Sequence, residues 1–176
     1  MQLSDPNDFG GWLDLWLVGS TDGNYPQPVL FERTDHKQAR AAWSPCGRWI
    51  AYESDEAGRP EIYVKPCPGP GARVAVSPDG GREPLWSPDG KELYYRHDGK
   101  IMAAQIAADA EFEVVSTKPL FEDEYYSCIM CKTYDVAPDG RFLLLSGPHT
   151  AEQPPIRVVL RWRDLLHRLA QETARP

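Results

Sequence analysis

The stretch Trp-Ser-Pro-Asp-Gly at residues 86–90, followed by the strand-like run Lys-Glu-Leu-Tyr-Tyr at residues 91–95, recurs along the chain. Trp-Ser-Pro-Cys-Gly stands at residues 43–47 before Arg-Trp-Ile-Ala-Tyr, and the weaker copy Val-Ala-Pro-Asp-Gly stands at residues 136–140 before Arg-Phe-Leu-Leu-Leu. Proline presets φ at the second turn position, Asp suits the third, and Gly accepts the positive φ that follows. Each copy therefore predicts a hairpin turn, with a structural role for Trp43, Pro45, Gly47, Trp86, Pro88, Asp89, Gly90, Pro138, Asp139 and Gly140.

The copies begin at residues 43, 86 and 136, which are 43 and 50 residues apart. A period of roughly 40–50 residues with four short strands per unit is typical of a β-propeller blade. The Trp at the end of the first strand offers a large flat surface to a neighbouring sheet. We therefore expect Trp43 and Trp86 to be largely buried at equivalent positions of successive blades.

The turns and the alternating apolar residues divide the chain into units. The predicted parts are a loose segment at residues 1–11, a half-blade at 12–31, blades at 39–76 and 83–121, a three-stranded blade at 132–162 and a terminal helix at 164–171. The predicted fold of residues 12–176 is all-β. It is a partial β-propeller of four-stranded antiparallel blades, about three blades plus a half-blade, with a short C-terminal helix.

A closed ring of about six blades needs roughly 24 strands, since a blade has about four. The predicted strands number thirteen, so the chain is expected to be the C-terminal part of a larger propeller. Cut blades leave open sheet edges and apolar faces. We expect Trp12, Trp16 and Phe142 to be among the exposed side chains.

A resemblance to a known family rests on several further segments. They are Ile-Tyr-Val-Lys-Pro at 62–66, Pro-Gly-Pro-Gly at 68–71 and Asp-Gly-Gly-Arg-Glu-Pro-Leu-Trp-Ser at 79–87, with 158–162 and 165–169 near the end. They resemble the TolB-like propeller at the C-terminus of bacterial membrane-bound serine/threonine protein kinases. Related WD-like propellers occur in TolB and in prolyl-oligopeptidase-type enzymes. The resemblance covers about residues 12–170, and one departure is Cys46 in place of the usual Asp.

The resemblance implies a non-catalytic interaction module, similar to the sensor or scaffold part of such a kinase. The alternative is a propeller accessory domain of a prolyl-oligopeptidase-type hydrolase, which gates access to a separate catalytic domain. The expected partner is a protein or peptide, or the missing blades of the same propeller, and self-association is possible through the open faces.

Composition narrows the choice of partner and compartment. The 176 residues carry 19 basic and 26 acidic side chains, a net charge of −7, which argues against nucleic-acid binding. No apolar run is long enough for a membrane span, and the N-terminus has no signal-peptide pattern. The chain as written is expected in the cytoplasm, or outside it if it ends a membrane-bound kinase.

The sequence contains none of the usual catalytic motifs. It has no Gly-x-Ser-x-Gly elbow and no glycine-rich phosphate loop. His36, His97, His149 and His167 have no paired spacing and are interpreted as surface residues. We therefore predict no enzyme activity, no catalytic residues and no cofactor.

The four cysteines raise the possibility of a metal site or a disulfide. Cys128 and Cys131 have the spacing of half a zinc site, but the blade topology puts Cys46 and Cys67 on the opposite face. We therefore predict no metal. For Cys46 and Cys67, free thiols and a disulfide both remain open.

One loop face is the candidate binding surface. It is predicted to carry Glu122, Asp123, Glu124, Tyr125 and Tyr126, together with Asp55, Glu56 and His97. Acidic groups near aromatic rings can hold cations or basic peptides. The alternative, a merely solvated acidic loop, remains open.

Overall fold

The computed structural model describes residues 13–19, 27–108, 111–124 and 132–145. All of them belong to one compact unit, Met1–Ser146. The predicted loose segment 1–11, the part of the predicted three-stranded blade after residue 145 and the helix at 164–171 lie outside the described residues, as do Trp12, His149 and His167. The regular secondary structure of the described residues consists entirely of β-strands, which confirms the predicted all-β class.

Twelve strands form four antiparallel sheets in the described part of the chain. The strands are β1 (Leu15–Leu17), β2 (Val29–Glu32), β3 (Gln38–Trp43), β4 (Trp49–Ser54), β5 (Glu61–Pro66), β6 (Val74–Ala75), β7 (Arg82–Trp86), β8 (Glu92–His97), β9 (Lys100–Ala107), β10 (Glu113–Glu122), β11 (Tyr134–Val136) and β12 (Phe142–Leu144). Strands β3–β6 form a first blade and β7–β10 a second blade, each in sequential order. Within the described residues, the N-terminal hairpin β1–β2 and the third unit β11–β12 each contribute two strands. This is a partial β-propeller.

The recurring turns have a shared hydrogen-bond pattern. The glycine N–H donates to the carbonyl three residues earlier at 2.9 Å in all three turns, from Gly47 to Ser44, from Gly90 to Ser87 and from Gly140 to Ala137. Each glycine has a positive φ, between 70° and 85°, which only glycine adopts without strain. The turn residue types therefore place a hairpin at the same point in each unit.

The third turn is one residue shorter than the other two. Ser87 N–H donates to Glu92 O, whereas Ala137 N–H donates to Arg141 O. As a result Phe142 faces the second blade, where its ring lies 5.0 Å from that of Tyr94 and 5.2 Å from that of Phe121. The expectation that Phe142 is exposed was wrong, because the shorter turn moves it into contact.

Neighbouring units pack face to face through alternating residues of the second blade. Leu93 and Tyr95 of β8 join Ala51, Ile62 and Val64 of the first blade in one apolar cluster. Tyr94, from the opposite face of β8, joins a second cluster with residues of the third unit, among them Tyr134. Because successive side chains point to opposite faces of a strand, β8 contributes to both interfaces of the second blade.

The two repeated tryptophans differ in burial. Trp86 is 6% exposed, and its indole Nε1 donates to Ala42 O of the first blade at 3.1 Å. Trp43 is 54% exposed, so the prediction that both are buried was wrong. Their positions are nevertheless equivalent, because Trp43 pairs with Ile50 as Trp86 pairs with Leu93. The difference arises because no four-stranded blade precedes Trp43 among the described residues.

Candidate functional site

The candidate loop face is built from the β4–β5 turn, the β6–β7 link, the β8–β9 turn and the end of β10. The β8–β9 hairpin closes in two residues, Asp98 and Gly99, with φ of 45° and 67°, as a type I′ turn requires. Asp123 N–H then donates to Gly99 O at 2.6 Å. The structure thereby brings His97, Asp98 and Asp123 to one groove.

Asp55 and Glu56, also predicted for this face, are engaged within the fold. Asp55 Oδ1 accepts a 2.9 Å hydrogen bond from Lys37 N–H and lies 3.8 Å from His36 Nδ1. Glu56 Oε1 lies 2.5 Å from Arg73 Nη2. The Arg73 guanidinium offsets the charge of Glu56, and the backbone hydrogen bond holds the Asp55 carboxylate against the fold.

The acidic residues after β10 have unequal environments. Asp123 is 5% exposed and forms a short ion pair with Arg96, which is itself 7% exposed. Glu122 and Glu124 are exposed, and Glu122 Oε1 lies 3.6 Å from Lys100 Nζ. Tyr125 and Tyr126 lie outside the described residues. Among the described members of the predicted cluster 122–126, Asp123 is the one with a buried side chain.

Two ion pairs with exchanged charges were not predicted from the sequence. Arg40 and Glu83 occupy equivalent bulged positions of β3 and β7, with φ of 50° and 55°. Arg40 forms a short ion pair with Glu53, and Glu83 Oε2 lies 3.6 Å from Arg96 Nε. In each pair the two residues are 13 positions apart in the sequence. Arg40 corresponds to Glu83 and Glu53 to Arg96, each 43 residues later, so the basic and acidic positions are exchanged between the blades. That spacing was the available signal.

Glu83 links three successive units through its side chain and backbone. Its N–H donates to Glu53 Oε2 of the first blade at 3.3 Å. Its Oε2 accepts from Thr133 N–H at 3.1 Å and from Thr133 Oγ1 at 2.6 Å, next to the third unit. Tyr134 Oη donates to Glu83 O at 2.6 Å. Because Glu83 is 2% exposed, these bonds form in a desolvated interior.

Two concavities flank this network. A groove of about 360 Å³ lies on the loop face between the first and second blades. A cleft of about 510 Å³ is lined by Arg40, Trp43, Glu83, Leu85 and Tyr134, from the first strands of three units. That cleft occupies the position of a propeller's central channel.

The described residues include no cluster of three or more His, Cys, Asp or Glu side chains arranged for a metal ion. Cys128 and Cys131 lie outside them. Among the described residues, no helix is long and apolar enough to cross a membrane.

The repeat residues Asp89 and Cys46 accept comparable contacts in their turns. Asp89 Oδ1 accepts from Ser87 Oγ at 2.7 Å and from Lys91 N–H at 3.1 Å. Cys46 Sγ lies 3.4 Å from Ser44 Oγ. The hydrogen bond with Ser44, aided by the backbone at Arg48, lowers the pKa of the Cys46 thiol to about 7. The thiol therefore stands in for the usual carboxylate.

Cys46 and Cys67 are free thiols, without the disulfide that the sequence left open. Burial raises the pKa of Cys67, and Cys46 is exposed. We expect iodoacetamide to alkylate Cys46 with a midpoint near pH 7 and to spare Cys67 in the native state. Peptide mapping by mass spectrometry checks this, and Ser44→Ala should move the Cys46 midpoint upward. Equal labelling rates at Cys46 and Cys67 would contradict it.

The strand order defines a partial propeller with four-stranded antiparallel blades. Sequence comparison with known proteins supports this fold assignment. The chain is 31% identical over 94 residues to the Tol-Pal system protein TolB of Francisella tularensis subsp. mediasiatica, covering 53% of this chain and 21% of that protein. It is 30% identical over 82 residues to the uncharacterized peptidase YuxL of Bacillus subtilis, covering 46% of this chain and 12% of YuxL. No protein-family model matches. The similarity to TolB is therefore partial, and the matched segment spans about a fifth of that relative.

Proposed function

We propose that the chain is a non-catalytic propeller module that binds protein, and that one of its binding surfaces is the Trp43 face. The supporting observation is the contrast between the two repeated tryptophans. Trp86 is covered by β3 of the preceding blade, whereas Trp43 is 54% exposed. Trp43 has the position that a preceding blade covers at Trp86. This favours a partner that supplies such a blade, from the same propeller or from a second copy.

Self-association of the 176-residue chain tests this proposal. We expect sedimentation velocity to show a mass that rises with concentration, because burying the Trp43 indole is favourable by about 25 cal/mol per Å². Trp43→Ser should shift the equilibrium towards monomer. Val115→Ser, which alters an exposed apolar residue on the outer strand β10, is the matched control. A wild-type chain that stays monomeric at high concentration and melts sharply would contradict the proposal.

A finer form of the proposal is a sensor or scaffold role at the end of a bacterial serine/threonine kinase. The resemblance of residues 62–87 to the propellers of that group supports it. The coding sequence upstream of Met1 tests it. A kinase domain and a membrane span there would support this role, and a different upstream domain would overturn it.

A second candidate is the accessory propeller of a prolyl-oligopeptidase-type hydrolase. The 30% identity to a protein named as a peptidase favours it. A Gly-x-Ser-x-Gly domain encoded next to this chain would support that assignment.

For both candidate functions we expect the chain alone to show no peptidase, esterase or kinase turnover. Reproducible turnover that one point substitution abolishes would overturn this prediction.

A further inference from the structure

The third unit has the form of an inner half-blade. In the first and second blades the recurring turn joins the first strand to the second, β3 to β4 and β7 to β8. The same turn, at residues 137–140, joins β11 to β12, and Val136 pairs with Phe142 as Trp86 pairs with Leu93. Strands β11 and β12 therefore hold the first and second positions of their blade.

The N-terminal hairpin has the form of an outer half-blade. Gln38 N–H, at the start of β3, donates at 2.8 Å to Leu13 O, two residues before β1. One repeat of 43 residues later, Gly81 N–H donates at 2.9 Å to Pro60 O, directly before β5. Because β5 is the third strand of its blade, β1 holds the third position, and β2, which leads into β3, holds the fourth.

The two half-blades complement each other. In each complete blade the second strand pairs with the third, β4 with β5 and β8 with β9. In the described part of the chain, β12 and β1 each have one edge without a partner strand. Pairing these edges within one chain would close a ring of three blades, whereas propellers have about four to eight. Two copies, with twelve described strands each, supply six blades of four strands.

We propose that two copies of the chain form a closed six-bladed ring, in which β12 of each copy pairs antiparallel with β1 of the other. The added half-blade continues an existing interface, since the hairpin already contacts the first blade through Phe31 and Tyr52, whose ring centroids are 6.3 Å apart. This deepens the proposed function, on which it rests, by making a second copy the partner of the Trp43 face. Such a dimer is symmetric and leaves no open strand edge at the contact.

The repeat fixes the register of the new strand pair. Ala51 pairs with Val64 in the first blade, and the equivalent residues are Leu143 and Leu17. Leu143 and Ala51 each follow the residue that pairs across the recurring turn. Leu17 and Val64 each lie four residues after the carbonyl that accepts the hydrogen bond between blades.

This register brings exposed apolar side chains together on both faces of the shared blade. Leu143 is 72% exposed in the single chain, and the pairing places it on the face that meets Trp43 of the other copy. Leu144, on the opposite face of β12, comes beside Trp16 of β1, which is 41% exposed. Burial of these side chains favours the dimer by about 25 cal/mol per Å².

Cross-linking between two differently substituted chains tests the pairing. A Leu143→Cys chain is mixed with a Leu17→Cys chain and oxidised mildly. We expect a disulfide between residues 143 and 17 of different chains, because opposed residues have Cα atoms about 4.5–5.5 Å apart. Peptide mapping by mass spectrometry separates this link from any that involve native cysteines. Val29→Cys is the matched control for Leu17→Cys, since Val29 pairs with Leu17 but lies on β2, one strand further from β12.

The closed ring also has a defined mass. We expect sedimentation equilibrium to level off at two copies, since the dimer leaves no β1 or β12 edge free. Leu143→Asp changes a residue that is mostly in solvent in the single chain, so it should fold and raise the dimer dissociation constant at least about tenfold. Ala72→Asp adds the same charge at an exposed residue between the outer strands β5 and β6 and should dimerise as the wild type does.

Association without the link between residues 143 and 17, or with equal linking of the Val29→Cys control, overturns this inference and leaves the proposed function standing. A mass that keeps rising beyond two copies has the same consequence. The predicted blade at 132–162 includes a third strand after residue 145, and its pairing with β12 of the same chain would prevent the link and overturn the inference. A chain that stays monomeric at high concentration overturns both the inference and the proposed function.

Discussion

Trp86→Ala is expected to lower the free energy of unfolding by about 3–5 kcal/mol, the usual effect of removing a large aromatic side chain from a core. Trp86 is 6% exposed, contacts Phe112 edge to face with ring centroids 6.2 Å apart, and donates to Ala42 O. The substitution would leave a cavity between the two blades and a carbonyl without its donor. Trp43→Ala should cost under about 1 kcal/mol, because the Trp43 indole is mostly in solvent.

Urea unfolding at low protein concentration, where self-association is minimal, measures both variants. The comparison is matched, since the two residues share a position in the repeat and the same substitution is made. Similar losses for Trp43→Ala and Trp86→Ala would contradict the account of blade packing. So would an unchanged stability in Trp86→Ala.

Arg96→Met is the second substitution with a large expected effect. The Arg96 guanidinium lies beside Glu83 and forms an ion pair with Asp123, and these two carboxylates are 2% and 5% exposed. Methionine fills much of the space but leaves both acidic groups buried near each other without their cation. Breaking a buried ion pair on one side typically destabilises by about 3–5 kcal/mol.

Lys100→Met is the matched control for Arg96→Met. Lys100 begins β9 and lies 3.6 Å from Glu122, but its side chain is 41% exposed and that of Glu122 is 71% exposed. An exposed ion pair contributes at most about 1 kcal/mol, so the control should unfold almost as the wild type does. Equal stability of the two variants in thermal and urea unfolding would show that the buried network contributes little.

The turns were predictable from sequence because their chemistry is local. Proline at residues 45 and 88 fixes φ and glycine at residues 47 and 90 accepts a positive φ, regardless of the surroundings, and the observed hairpins follow. The all-β fold class follows from these turns and the alternating runs between them. The burial of Trp43 was not predictable in this way, because it depends on which sheet lies in front of the residue.

The candidate site was less accessible to sequence reasoning. The acidic residues at 55, 56, 122 and 123 predicted a charged face. The side chains that contact them are distant in sequence or on other strands, and they are His36, Arg73, Lys100 and Arg96. The bulges at Arg40 and Glu83 carry no turn residue to reveal them. Only the exchanged charges at the repeat spacing could have pointed to that network.

Trp43 and Trp86 hold equivalent positions in successive blades, and of these two only Trp86 is covered. Hydrogen exchange of the indole N–H groups, followed by NMR on dilute, isotope-labelled protein, measures this directly. Trp43→Phe and Trp86→Phe variants assign the two signals. We expect a protected Trp86 N–H, since it donates to Ala42 O, and a rapidly exchanging Trp43 N–H. A Trp86 indole that exchanges as fast as that of Trp43 would contradict it.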